Sequence, residues 1–121
     1  MILLIGPYAS GKRRYAGESL GLSENEIASG VLDDRPAVRD LRSLVAGVLR
    51  EGGSPDSLLE PLCRKRAVLA DEIGAGIIPM DPTERRVREE TGRLCCLLAA
   101  RADTVVRLMA GIPIALKGTL P

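Results

Sequence analysis

Gly6-Pro7-Tyr8-Ala9-Ser10-Gly11-Lys12 has the spacing G-x-x-x-x-G-K, which suits one kind of chemistry, the holding of nucleotide phosphates. A turn of this kind aims its backbone N–H groups and the N-terminus of the next helix at one spot. The result is a fixed positive field for an anion. Gly6 and Gly11 permit backbone conformations and close approaches that a Cβ would hinder. Lys12 supplies a full charge to the terminal phosphates. A glycine-rich surface turn with an incidental lysine is the plainer alternative. The next residue is Arg13, where enzymes with this turn carry a Ser or Thr whose hydroxyl binds Mg²⁺. A guanidinium has donors only and cannot ligate a metal. It can bind phosphate oxygens itself. The turn is therefore competent for an anion, while its usual magnesium ligand is replaced.

Other residues could complete such a site. Asp71-Glu72 follow an apolar run, where an acid binds a metal or activates a nucleophile. A strand's period of two puts them on opposite faces, so at most one points at a given ligand. Either acid is equally at home as a cap or a solvated group. Asp33 is a further candidate acid or metal partner, with a plain turn role as the alternative, and Asp34 is equivalent. Arg85, Arg86 and Arg88 open a helix, and one of them, Arg85 or Arg88 foremost, is placed to reach a phosphate.

The elements that must position these groups alternate between strand and helix. Ile2-Leu3-Leu4-Ile5 reads as a buried strand feeding the turn, and Lys12 to Leu20 as a helix closed by Gly21. Ser23-Glu24-Asn25-Glu26 is a capping box for a short helical turn that Gly30 closes. Gly30 to Asp34 is expected as a very short strand. Pro36 is expected in the first turn of a helix running to Arg50, with Val38, Leu41, Val45, Val48 and Leu49 as its apolar stripe. Ser54-Pro55 starts another short helix. Ala67 to Ile73 is the second strand and Gly74 to Pro79 a loop. Asp81-Pro82-Thr83-Glu84 opens the longest helix, with Val87, Leu94, Leu98 and Ala102 buried and Glu84/Arg88 and Glu89/Arg93 paired at i,i+4. Thr104 to Met109 is the third strand. Ala110 to Pro113 turns, and Ile114 to Lys117 trails off at an edge.

The expected fold is α/β: a three-layer P-loop nucleoside-triphosphate-binding domain spanning 1–121, its small, mostly parallel sheet flanked by helices. In such a sheet ligands bind at the carboxyl ends of the strands, which brings Gly6, Asp71-Glu72 and Ala110-Gly111 to one edge.

Composition narrows the partners. The chain has 121 residues with two Tyr, no Phe and no Trp, so Leu, Val, Ile and Ala must build the core. Its net charge of +1, with acids and bases interleaved, argues against nucleic acid or an anionic membrane as partner. No apolar stretch approaches the roughly 20 residues that span a bilayer, and the short N-terminal apolar segment lacks a signal peptide's basic leader. Three cysteines without C-x-x-C spacing, and no histidine, exclude a zinc site or a disulfide framework and suit a cytoplasmic protein. The absence of histidine also excludes His-dependent nucleophilic catalysis.

Asp71-Glu72-Ile73-Gly74-Ala75-Gly76-Ile77-Ile78-Pro79-Met80-Asp81-Pro82 resembles the N-E-V-G-x-G-I-V-P-x-x-P signature of the adenosylcobinamide kinase / adenosylcobinamide-phosphate guanylyltransferase family of cobalamin biosynthesis. The similarity continues through Arg85, Arg88, Gly92-Arg93-Leu94, Leu98-Ala99, Ala102-Asp103 and Val105 to Ala110-Gly111-Ile112-Pro113 and Leu116-Lys117-Gly118. Ser10-Gly11-Lys12 is similar to that family's P-loop. The resemblance implies that Gly6, Ser10, Gly11 and Lys12 hold phosphates, with Arg13 beside them, and that Glu72 is the active-site acid, ahead of Asp71. It also implies GTP or ATP as nucleotide, a corrinoid (adenosylcobinamide) as acceptor, and a homo-oligomer.

Three departures accompany it. The chain is shorter than the family norm between the P-loop helix and about residue 30. It has no His for a guanylyl intermediate, and Arg13 replaces the Mg²⁺-binding hydroxyl. The leading expectation is a purine-nucleotide-binding kinase that phosphorylates an alcohol group, without His-dependent guanylyl transfer. The alternative is a non-catalytic nucleotide-binding regulatory protein in which Arg13 does the work of Mg²⁺. A scaffold that has lost its ligand is the third reading.

Overall fold

The structure is a computed structural model and describes residues 1–72 and 81–121. The loop expected at 74–79 lies outside the described residues. A six-stranded sheet in the order β2-β3-β4-β1-β5-β6 forms the middle of three layers. Its strands are β1 (Ile2–Gly6), β2 (Ile27–Ser29), β3 (Ala37–Arg39), β4 (Ala67–Asp71), β5 (Thr104–Met109) and β6 (Ile112–Lys117). β1 to β5 run parallel, and β6 joins β5 antiparallel at the edge. The expected mostly parallel α/β sheet is therefore present.

The centre of the sheet is apolar because it is covered on both faces. Leu3, Val68 and Val105 point into a core shared with α2 (Leu41–Arg50), α3 (Leu59–Cys63) and α4 (Pro82–Arg101). Leu4, Leu69 and Val106, one residue on, point into a second core closed by Tyr15, Ala16 and Leu20 of α1 (Lys12–Leu20). Val87, Leu94, Leu98 and Ala102 are buried as the stripe of α4, and Asp81 caps that helix by accepting from the Thr83 N–H at 2.9 Å. α4 is tied laterally to the segment before it. Arg93 donates to Asp56 at 2.6 Å, rather than to Glu89, and Arg101 donates to Glu60 at 2.8 Å. No helix among the described residues is long and apolar enough to cross a membrane.

Residues 23–41 depart from expectation. The Ser23/Glu26 capping box forms, but on a single 3₁₀ turn, Glu24–Glu26, and the chain then extends into β2. Gly30 (φ 70) closes that strand rather than a helix, its N–H donating to Arg39 O at 3.0 Å. Residues 30–34 form no strand. Pro36 opens no helix: its carbonyl accepts from Arg66 N–H at 2.8 Å, and Ala37-Val38-Arg39 pair with both β2 and β4. Val38 lies three residues before Leu41 and so imitates helical spacing. Pairing between two buried strands outweighs that local preference. The helix begins at Leu41 behind Asp40. The parallel β2–β3 crossover is only seven residues (30–36) and contains no helix, which is possible because each strand is three residues long.

The C-terminal strand is longer than expected. Ala110 (φ 50) and Gly111 (φ 78) make a two-residue turn of the type that matches strand twist. β6 therefore starts at Ile112, and its Ile112, Ile114 and Leu116 remain exposed.

Candidate phosphate-binding site

β1 ends at Gly6, level with Asp71 of β4, and the Glu72 N–H donates to Gly6 O at 2.8 Å. From this point the Gly6–Lys12 turn climbs over the carboxyl edge and returns as α1. Two glycines fix its path. A Cβ on Gly6 would sit 2.5 Å from Ser10 Oγ and 2.6 Å from Leu108 O. Gly11 holds φ +96 as the residue before α1, and a Cβ there would lie 3.3 Å from the Gly111 Cα. The β5–β6 turn supports the loop from that side, where the Gly111 N–H donates to Ser10 O at 2.9 Å. The three edge segments expected to converge do so.

Among the described residues, those other than glycine with positive φ are Ala9 (59), Asp40 (62) and Ala110 (50). All three lie on this edge: within the turn, beside its cavity, and in the turn that supports it. Left-handed backbone is unfavourable for such residues and recurs where a site is held in shape.

The turn opens onto a cavity of about 830 Å³ lined by Tyr8 to Arg14, by Ser23 and Glu24, and by Arg39, Asp40, Leu69 and Asp71. Lys12 is 9% exposed, and its ammonium is fully engaged: it donates to Gly6 O at 2.9 Å and Pro7 O at 2.8 Å and lies 2.7 Å from Asp71 Oδ1. α1 has no acidic residue in its first turn, so the positive end of the helix is not offset locally. Ser10 Oγ is buried without a hydrogen-bond partner among the described residues. Arg14 is committed to Glu18 at 2.9 Å. Arg13 is exposed.

The two acids part as strand geometry requires. Asp71 meets Lys12. Glu72 turns to Arg107 of β5, which donates to Glu72 Oε2 at 3.0 Å and also bonds Oε1. Hydrogen bonding from the Arg107 guanidinium holds the Glu72 carboxyl below the usual glutamate range, against a small desolvation cost. Glu72 does not line the cavity, whereas Asp71 does. Arg85 and Arg88 occupy the first turns of α4 and do not line it either.

Asp33 is a correction. It lies in the β2–β3 crossover beside Arg64 and Lys65, the residues that lead into β4, and so at the amino edge of the sheet, away from the turn. Its carboxylate is gripped by Arg35 at 2.7 and 2.9 Å, which lowers its pKa to about 2. Lys65 also donates to Asp33 O and Arg35 O.

Two charged lining residues at the end of β3 escaped the sequence reading. Arg39 and Asp40 were absorbed into a helix, although Asp40, Leu41 and Ser43 carry an N-cap signal. Asp40 accepts from Ser43 Oγ at 2.7 Å and Ser43 N–H at 3.4 Å. Arg107 was missed as well. A lone arginine in the apolar run Val105-Val106-Arg107-Leu108 was the available clue.

A magnesium ion of the usual P-loop kind needs a hydroxyl after Lys12 and a nearby carboxylate. Here Arg13 stands in the hydroxyl's place, and Asp71 and Glu72 are paired with Lys12 and Arg107. Among the described residues no group of three or more His, Cys, Asp and Glu is arranged to hold a metal. With a guanidinium in the hydroxyl's place, the residues present do not fit that ion.

Residues 57–116, about half of the chain, match the family described as cobinamide kinase / cobinamide phosphate guanyltransferase. The chain belongs to that family. The matched segment carries β4, α4, β5 and most of β6, so Asp71, Glu72 and Arg107 fall inside it. The Gly6–Lys12 turn, β2 and β3 fall outside. No curated protein matches the chain. Membership connects it with cobinamide and cobalamin biosynthesis, and the family's substrates are a nucleotide and a cobinamide.

Proposed function

We propose that the chain binds a purine nucleoside triphosphate, GTP or ATP, by its phosphates over Gly6–Lys12 and transfers the terminal phosphoryl group to an alcohol. The observation that carries this reading is Lys12 buried beside Asp71 under a Gly6–Gly11 turn at the carboxyl edge. The family points to adenosylcobinamide as acceptor. Ser10, the turn amides, Lys12 and Arg13 hold the phosphates, and Lys12 exchanges Asp71 for phosphate oxygens. The alcohol oxygen bonds to the γ-phosphorus as the bond to the β-phosphate oxygen breaks. The hydroxyl proton passes to Asp71. Glu72, the acid singled out by resemblance, is held by Arg107 and takes a positioning role, and Arg85 and Arg88 remain candidates for a phosphate contact. Guanylyl transfer through histidine forms no part of the proposal, because the chain has none.

The second reading, a non-catalytic nucleotide-binding regulator, is favoured by Arg13 alone. Calorimetric titration with GTP and ATP, followed by an adenosylcobinamide phosphorylation assay, separates the two. Binding with turnover supports the kinase, and binding without turnover supports the regulator. No binding sinks both. The proposal includes a homo-oligomer in the cytoplasm, for which sedimentation velocity is the check of assembly.

A further inference from the structure

The cavity has a second cationic wall that the P-loop motif does not include. Arg39 ends β3, two strands from β1 in the sheet order. Strand spacing puts it roughly 10 Å across the edge from the turn, a distance that a phosphate chain lying along the edge would cover. It lines the same cavity as Arg13. Neither guanidinium has an ion pair or hydrogen bond among the described residues. The other charges of the wall are mostly committed. Asp40 is held by Ser43, Asp71 by Lys12 and Arg14 by Glu18, while Glu24 stands at the exposed rim. Two unpaired arginines thus face a cavity lined also by Ser10, whose buried Oγ has no partner among the described residues, and by the start of α1, whose first turn carries no acid.

Resting on the nucleotide-binding reading above, we propose that Arg13 and Arg39 together neutralise the phosphate chain, so that the site takes a metal-free polyphosphate. The physical reason is charge matching. A triphosphate needs several positive charges to leave water, and a planar guanidinium supplies both charge and paired donors to phosphate oxygens. With a hydroxyl after Lys12, that role would pass to Mg²⁺. With Arg13 there, a cation at the same point meets repulsion. Arg39 supplies the second charge from a strand whose place in the sheet only the fold reveals.

The test is calorimetry with GTP, ATP and inorganic tripolyphosphate, each in Mg²⁺ and in excess chelator, on the wild-type chain and on Arg39→Gln, Arg13→Gln and Arg13→Ser. Circular dichroism and melting curves first establish that each variant folds. Wild-type affinity is expected to be the same or higher in chelator. Arg39→Gln and Arg13→Gln are each expected to weaken binding about ten- to a hundredfold, as for loss of a hydrogen bond to a charged group. The loss should be as large for tripolyphosphate as for nucleotide. Arg13→Ser should make binding respond to Mg²⁺. Triphosphate binding that collapses in chelator, or that Arg39→Gln leaves unchanged, overturns this proposal alone. Absence of binding under every condition overturns the nucleotide site as well.

Discussion

Lys12 Nζ lies 2.7 Å from Asp71 Oδ1, joining the first residue of α1 to the last residue of a strand 59 positions further along the chain. The lysine is nearly buried while the aspartate side chain is 59% exposed, so the pair is screened on one side only. The same ammonium donates to two carbonyls of its own turn. Asp71 and a ligand phosphate therefore compete for one cation.

That competition gives the two residues opposite signs in binding. Lys12→Ala is expected to weaken GTP or ATP binding about ten- to a hundredfold, the range for hydrogen bonds to a charged group. Asp71→Asn removes a like charge from the phosphate site and is expected to tighten binding while abolishing phosphoryl transfer. Calorimetry paired with a turnover assay checks both. Weaker binding in Asp71→Asn would mean that the carboxylate supports the ligand.

Gly21 and Gly6 separate backbone strain from crowding. Gly21→Ala meets no atom within 4 Å and suffers only from φ +68, so it should cost about 1 kcal/mol. In Gly6→Ala the new methyl would lie 2.6 Å from the Leu108 carbonyl, which cannot rotate away, and the cost should be about 2–3 kcal/mol. Urea unfolding of both variants gives the comparison, with equal losses as the outcome that contradicts it.

Asp33 makes an acid-stability prediction. Its pKa falls from 3.8 to about 2 on folding because Arg35 bonds the carboxylate. A lowered folded value stabilises the protein above the unfolded pKa, and the contribution disappears as pH drops through the folded one. Asp33→Asn is expected to lower the urea midpoint at pH 7, with the difference from wild type closing between about pH 4 and 2. A gap that persists at pH 2 would point to lost packing instead.

The thiols should differ in reactivity. Burial raises Cys95 to about 11, whereas its neighbour Cys96 is exposed. Since the thiolate is the nucleophile, Cys96 should react with a thiol reagent at pH 8 well before the partly buried Cys95 does. Peptide mapping after timed alkylation distinguishes them. Equal labelling of the pair would show that α4 opens readily in the native state.

The sequence by itself determined the parts whose cues are local. A run such as Ile2 to Ile5 is too apolar to lie anywhere but inside a covered sheet, and Asp81-Pro82 starts a helix in almost any surroundings. The G-x-x-x-x-G-K spacing likewise specifies a turn, because its glycines act on the backbone next to them. The signature after Asp71 was enough to indicate the family. The tertiary structure decided what depends on distant partners. Ala37-Val38-Arg39 became a strand because two other strands flank it, against a helical spacing that continued through Leu41. The resemblance favoured Glu72 over Asp71, but Lys12 and Arg107, arriving from different elements, put Asp71 at the cavity and turned Glu72 away from it. Asp33 looked like a site acid until the crossover carried it to the opposite edge. Arg39, silent as a residue in a presumed helix, acquired a cavity to face. Adjacency along the chain fixes backbone conformation, but which charges meet is settled only when the sheet order is.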